Sequence, residues 1–246
     1  GCNCVIPIEK VQIEGDRVSV HDGLKLRPMQ NVQPKGSDHK KGQVVLKKRQ
    51  LLLPPQIAVA ASVGKAKARV SYRPTIAIIS TGDELVQVNQ KPKSYQIRTS
   101  NAYALEAALK KNNYGDVKLF HIRDDKRMLQ KKIGDILKTF DVLILSGGVS
   151  IGKFDLVPIV LKELGVRVLF HKVRQRPGKP FWFGVNQERK AVFALPGNPV
   201  STQVCFYRYV LPYLNRAIGI RENQKFRVFL TKTFAVNTDL TFFLPV

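Results

Sequence analysis

Three stretches of this chain place acids or paired glycines directly after apolar runs. Thr81-Gly82-Asp83-Glu84 follows residues 75–80, Arg123-Asp124-Asp125 follows residues 117–122, and Ser146-Gly147-Gly148-Val149-Ser150, with Asp155 beyond it, follows residues 141–145. Carboxylates gathered in one place repel unless a cation lies among them. A hard divalent ion bridging phosphate oxygens is the natural occupant, and magnesium typically uses only one or two protein carboxylates. Gly147 and Gly148 can take positive φ and let backbone approach a ligand, while Ser150 and the helix after it offer donors to phosphate. The stretch is no P-loop, since no Gly-Lys-Ser/Thr follows, and its third glycine is misplaced for a dinucleotide fingerprint. From the residues alone, an anion loop and a plain turn both stay open.

Two further stretches could complete such a site. Lys172, Arg174, Arg176 and Lys179 surround a Pro177-Gly178-Lys179-Pro180 turn. They could hold a multiply charged oxyanion opposite the carboxylates, or form the wet face of an edge strand. In Leu195-Pro196-Gly197-Asn198-Pro199, Asn198 either bonds a ligand or starts a helix. In the same way Asp124 or Asp125 can serve only as a helix cap, and Glu84 only as a surface acid. His121 and His171 lie in expected strands without paired ligands, and Trp182 between Phe181 and Phe183 reads as packing.

The elements that must carry these residues alternate strand and helix from Thr75 onward, which calls for a parallel sheet covered by helices. In such a sheet, ligands sit beyond the carboxyl ends of the strands. Strands are expected at 75–80, 117–122, 141–145 and 167–173, with short ones at 181–183 and 191–195. Helices are expected at 101–112 with Ser100 as cap, around Met128, Leu129, Ile133, Ile136 and Leu137, from 156 to 164, and at 199–218. The first seventy residues differ, with alternating runs at 5–8, 18–20 and 44–46 broken by glycines and then a helix at 56–63 ended by Gly64. The expected fold class is α/β: a β-rich segment at 1–46, a helical linker at 47–73, the parallel-sheet domain at 74–219, and the start of a small β-domain at 220–246.

Lysine and arginine number 41 against 18 acids, a formal charge of +23 that points to anionic partners. The cations come in short groups such as Lys47-Lys48-Arg49 and Lys131-Lys132, with no basic arm, so a solubilising surface is expected and no specific nucleic acid. Three cysteines give an odd count, and Cys2-x-Cys4 lacks zinc-finger spacing, which suits a reduced, cytoplasmic protein. No apolar run approaches the ~20 residues of a membrane span, and no export signal opens the chain.

Ile79-Ser80-Thr81-Gly82-Asp83-Glu84-Leu85, Ser146 to Gly152 with Asp155, Pro177 to Pro180, and Leu195 to Ser201 resemble the ordered motifs of the MoeA family. That family of molybdopterin molybdenumtransferases includes the E domain of gephyrin, and the resemblance runs over about residues 1–219. It implies a MogA-like molybdopterin-binding domain and an enzyme that inserts molybdate into adenylyl-molybdopterin, releasing AMP, with Mg2+ or another divalent metal. By motif, Glu84, Asp124 and Asp155 match the catalytic acids, with Glu84 and Asp155 facing metal. Lys172 and Arg176 match molybdate-binding cations, with Lys179 beside them, and Thr81, Gly147, Gly148, Ser150, Pro196, Asn198 and Pro199 match the pterin-phosphate loops. Asp38 resembles another acidic position. Arg176 stands where a lysine is common, which turns a point donor into a planar fork, and Thr99 stands where an acid is common. The resemblance also implies a homodimer, a molybdopterin adenylyltransferase as pathway partner, and a chain shortened at both ends. A non-catalytic molybdopterin-binding module, a MogA-like adenylyltransferase and a nucleic-acid binder are the alternatives.

Overall fold

The computed structural model describes residues 2–148, 156–220, 226–229, 231–235 and 238–244. They form two compact units, Gly1–Ala68 and Arg69–Val246.

In the first unit, β1 (Val11–Glu14) and β2 (Arg17–Val20) make an antiparallel hairpin. Its two-residue loop holds Gly15 at φ +57°, the left-handed backbone that such loops require. The runs at 5–8 and 44–46 form no strand: Ile8–Lys10 is a 3-10 turn, and Val44 is 72% exposed. A strand persists only where a partner accepts its backbone ladder, and alternation over three or four residues does not supply one. Helix α1 (Pro54–Ser62) starts two residues before the expected 56, because Pro54 suits a first turn and the Gln56 side chain accepts from Leu53 N at 3.2 Å. It ends at Gly64, φ +75°, where Lys65 N donates back to Ala60 O at 2.9 Å.

The second unit is built on one six-stranded sheet. In chain order its elements are β3 (Ile76–Thr81), β4 (Leu85–Val86), β5 (Ile97–Arg98), α2 (Asn101–Lys111), β6 (Val117–Ile122), α3 (Lys126–Thr139) and β7 (Val142–Ser146). Then come α4 (Leu156–Glu163), β8 (Arg167–His171), β9 (Gln175–Arg176), β10 (Trp182–Val185), β11 (Ala191–Leu195), α5 (Pro199–Cys205), α6 (Leu211–Ala217) and β12 (Thr241–Phe242). The sheet order is β6-β3-β7-β11-β10-β8; the first four strands are parallel, and β10 runs antiparallel to both its neighbours. β4 pairs with β5 and β9 with β12 in separate two-stranded ladders.

The period of two along β3 and β7 decides how the helices pack. Ala77, Ile79, Leu143 and Leu145 point to one face and join Leu129, Ile133 and Ile136 of α3 and Val157, Val160 and Leu161 of α4. Ile76, Ile78, Val142 and Ile144 point to the other and join Leu105 and Leu109 of α2 with Cys205, Phe206 and Leu214. Both faces of each strand are therefore apolar, which is why the sequence there reads as an unbroken hydrophobic run. Each large side chain fully buried this way contributes about 1.5–3 kcal/mol.

Several boundaries depart from the sequence expectation. The final helix expected at 199–218 is interrupted by a π-helical turn, Phe206–Val210. Met128 does not face the core: it is 39% exposed, one residue before the buried Leu129. The expected strand 167–173 stops at His171 because Lys172 takes φ +68°, a conformation that breaks a ladder. Asp141 ties the start of the sheet together, since its carboxylate accepts from Thr75 N at 2.8 Å, Thr75 Oγ1 at 2.9 Å and Tyr72 OH at 3.0 Å. Partial desolvation pushes its pKa up, but these donors and nearby Lys190 outweigh it and hold the carboxyl below its ordinary value.

Candidate active site

Because β6, β3, β7 and β11 are parallel, their carboxyl ends share one edge, and cross-strand pairs align His121 with Ser80, Ser80 with Ser146, and Ser146 with Leu195. The turn after β3 leads from Thr81 to Glu84. His121 Nε2 lies 3.1 Å from the Gly82 carbonyl, so that nitrogen carries the proton and the ring holds the turn. Gly82 takes φ +141°, a backbone that strains any L side chain, and the Glu84 carboxylate lies against it: a Cβ there would stand 2.5 Å from Glu84 Oε2. The Glu84 carboxylate thus folds over the backbone of its own turn. Leu85 and Val86 then pair with Ile97 and Arg98, and Ile97 N donates to Glu84 O at 2.8 Å.

The turn after β6 contributes Asp124 and Asp125. Asp125 is the cap of α3, accepting from Met128 N at 2.7 Å. That resolves the choice between the two acids, and the Asp124 backbone N–H reaches Asp83 Oδ1 at 3.4 Å, joining neighbouring turns.

The loop after β7 contributes Gly147 and Gly148, at φ +99° and +65°. A Cβ at Gly147 would lie 2.7 Å from the Thr81 carbonyl oxygen, and one at Gly148 would lie 2.7 Å from Val157 Cγ2 and 2.8 Å from Thr81 Oγ1. Close approach, and not turn geometry alone, demands glycine here. Ser150 and Asp155 lie outside the described residues.

The loop after β11 closes the edge. Asn198 caps α5, accepting from Ser201 N at 3.1 Å, and Thr202 Oγ1 donates to Pro196 O at 2.6 Å. Of the two roles open to Asn198, ligand contact and helix start, its side-chain carbonyl is used for the helix. Pro199 and Gly197 line a crevice with Thr81, Glu84, Thr99 and Gly147.

One contributor has no functional role in the sequence reading. Asn101, at the start of α2, donates from Nδ2 to Ser146 Oγ at 2.9 Å and to Gly197 O at 2.8 Å, so one amide fixes two loops. A polar residue opening a helix beside strand ends was the available signal. Thr99 is 8% exposed and Thr81 2%, and the Oγ1 atoms of both are buried with no hydrogen-bond partner among the described residues. Such groups are costly unless a ligand or water serves them.

The basic residues are placed elsewhere. Lys172 follows β8, four strand spacings from β3 and so roughly 19 Å along the sheet. Lys172 N donates to Phe181 O at 2.9 Å and Val173 N to Lys179 O at 2.8 Å, which folds 172–181 into a hairpin-like loop. Gln175 anchors it from within: the amide donates to Pro177 O at 2.9 Å, and its carbonyl accepts from Tyr209 OH. A Cβ at Gly178 would stand 2.6 Å from Cys205 Sγ. Burial pushes that thiol up to about 12, only partly offset by the Gln175 amide, so it stays protonated and serves as packing. Arg176 is held in the short ladder with β12, and Arg174 pairs with Asp239. Asp38 belongs to the first unit, where it is exposed.

Residues 77–216 match the family model described as the probable molybdopterin binding domain, and residues 1–64 match that of the MoeA N-terminal region, domains I and II. The chain is 41% identical over its whole length to the molybdopterin molybdenumtransferase of Synechocystis sp., and spans 60% of that protein. It is 35% identical over 92% of its length to the enzyme of the same name from Haemophilus influenzae, spanning 55% of it. Among solved structures, a MoeA protein of molybdopterin biosynthesis from Pyrococcus horikoshii superposes with a TM-score of 0.67 at 35% identity, over 88% of this chain and 53% of that one.

Proposed function

The chain belongs to the MoeA family, and from that premise we propose that it binds adenylyl-molybdopterin at the β3–β7–β11 edge and takes part in inserting molybdate into it, with release of AMP. The observation that supports this reading most is the convergence of three loops on one crevice lined by Thr81 and Thr99, whose buried hydroxyls have no partner among the described residues. Thr81, Gly147 and Gly148 would receive the phosphate-bearing part of the substrate, with backbone close enough for direct contact. Asn101 would keep Ser146 and Gly197 in place around it.

A divalent ion, magnesium by chemistry, fits this arrangement with restriction. Among the described residues no group of three acids, histidines or cysteines could hold a metal ion by itself. Magnesium needs only one or two carboxylates when phosphate oxygens supply the rest, and Glu84 at the crevice, with Asp155 in our reading, would provide them. Such an ion would supply neutralisation of charge on the phosphate. Glu84 would help to hold it, Asp124 would buttress the adjoining turn, and Lys172, Arg176 and Lys179, at the far edge, would serve the molybdate and dithiolene end. In this reading the acting species is a cytoplasmic homodimer, supplied with its substrate by a molybdopterin adenylyltransferase.

The test is to incubate the chain with adenylyl-molybdopterin, molybdate and magnesium, and to measure AMP and active cofactor. Formation of both supports the transferase. Tight binding without AMP release would support the binding module instead, and no binding would remove both.

A further inference from the structure

Lys172, Arg174, Arg176 and Lys179 stand within one short loop. Arg174 pairs with Asp239, whereas Lys172, Arg176 and Lys179 are exposed and enter no ion pair among the described residues. Like charges this close repel, and salt screens them only partly within a Debye length of about 8 Å. A loop carrying them keeps one shape only if something beneath it holds the backbone.

Gln175 is that holder. It alternates with Arg174 and Arg176 along the chain, so its side chain turns inward where theirs turn outward, and it is 1% exposed. A buried amide needs partners for its polar atoms. Gln175 Nε2 donates to Pro177 O at 2.9 Å, and Oε1 accepts from Tyr209 OH. One side chain thus ties the backbone between Arg176 and Lys179 to the helical layer below.

Tyr209 belongs to the π-helical turn Phe206–Val210, a geometry that occurs mostly as single turns and often at functional sites. Its ring stacks on Phe181, with centroids 4.7 Å apart and planes at 15°. Hydroxyl and ring therefore secure the chain on either side of Lys179. Apolar side chains of similar size would fill this space without desolvation, but they lack direction; a hydrogen-bonded pair has it.

We propose that Gln175 and Tyr209 are positioning residues for oxyanion recognition. They touch no substrate, and they set the spacing of Arg176 and Lys179 so that both cations meet one molybdate ion. That these cations meet molybdate rests on the functional reading above.

The test is calorimetric titration of the intact chain with molybdate at constant ionic strength, so that the general field of the +23 charge is held fixed. Parent, Arg176→Gln, Gln175→Leu, Tyr209→Phe and Ile133→Val are compared. Tyr209→Phe keeps the ring, Gln175→Leu keeps most of the volume, and neither removes a charge. Both should weaken molybdate binding about tenfold, as loss of an outer group that orients a ligating side chain does, while adenylyl-molybdopterin affinity stays at the parent's. Ile133→Val lowers Tm through the core of α3 and should bind molybdate like the parent. Molybdate affinity equal to the parent's in Tyr209→Phe or Gln175→Leu, or a loss matched by Ile133→Val, overturns the positioning role alone. No binding by the parent, or binding that Arg176→Gln leaves untouched, removes the loop as the molybdate site, and the functional reading of its cations fails together with the positioning role.

Discussion

Asn101, the first residue of α2, donates its side-chain amide to Ser146 Oγ, the last residue of β7, at 2.9 Å. The same nitrogen reaches Gly197 O, so a helix start, a strand end and the following loop are held by one group. Asn101→Ala leaves two acceptors unserved at the edge of the core. Equilibrium urea unfolding should show a loss of about 1–3 kcal/mol. A loss below the experimental error would mean that the contact does not organise the edge.

Gly148→Ala places a methyl group 2.7 Å from Val157 Cγ2 and 2.8 Å from Thr81 Oγ1, at a backbone φ of +65°. Strain and overpacking together should cost about 1–3 kcal/mol. Molybdopterin affinity should fall with it, and fluorescence titration would register the change. Unchanged stability would contradict the close packing described.

Asp141 carries a pH dependence whose sign follows from its lowered pKa. Stability from its ionised form is fully present above the unfolded-state value and is lost as pH falls through the lower folded value. The difference between parent and Asp141→Asn should be flat near neutrality, then shrink as pH drops below about 4. Thermal melts across that range would show it, and a gap that widens on acidification would reverse the sign.

Glu84→Gln tests the metal assignment. Its carboxylate sits over Gly82 at the crevice, so the amide can keep the fold while losing the charge. Magnesium-dependent AMP release should drop on the order of a hundredfold, with molybdopterin affinity changed little. Equal rates for parent and variant would remove Glu84 from the metal site.

Gly178→Ala pushes a methyl group to 2.6 Å from Cys205 Sγ and 2.7 Å from Gln175 Nε2. The 172–181 loop should shift, destabilising the protein by about 1–3 kcal/mol. The Cys205 thiol, now protonated and packed, should react faster with a thiol reagent under native conditions. A reaction rate equal to the parent's would indicate that the loop absorbs the methyl group elsewhere.

Much of this was legible in the chain itself. The unbroken apolar runs at β3 and β7 specify strands buried on both faces, and the residues that follow them are forced onto one edge because parallel strands share a direction. The inward faces of α2 and, apart from Met128, of α3 follow from helical spacing, and Gly64 ends α1 because glycine accepts the left-handed turn. Short runs were another matter. Residues 5–8 and 44–46 alternate like strands, yet whether a short segment pairs depends on a distant partner that local pattern cannot name.

The division runs between local and long-range physics. Backbone preference and burial period, written residue by residue, determined the α/β class, the glycines of the 147–148 loop and the acids and cations that could do chemistry. Strand order was decided only by tertiary pairing, since inserting β10 and β11 between β7 and β8 carries Lys172 four strands from Glu84's turn. Pairing across space likewise gave the cap of α3 to Asp125, closed the edge through Asn101, and left the hydroxyls of Thr81 and Thr99 buried with no partner among the described residues.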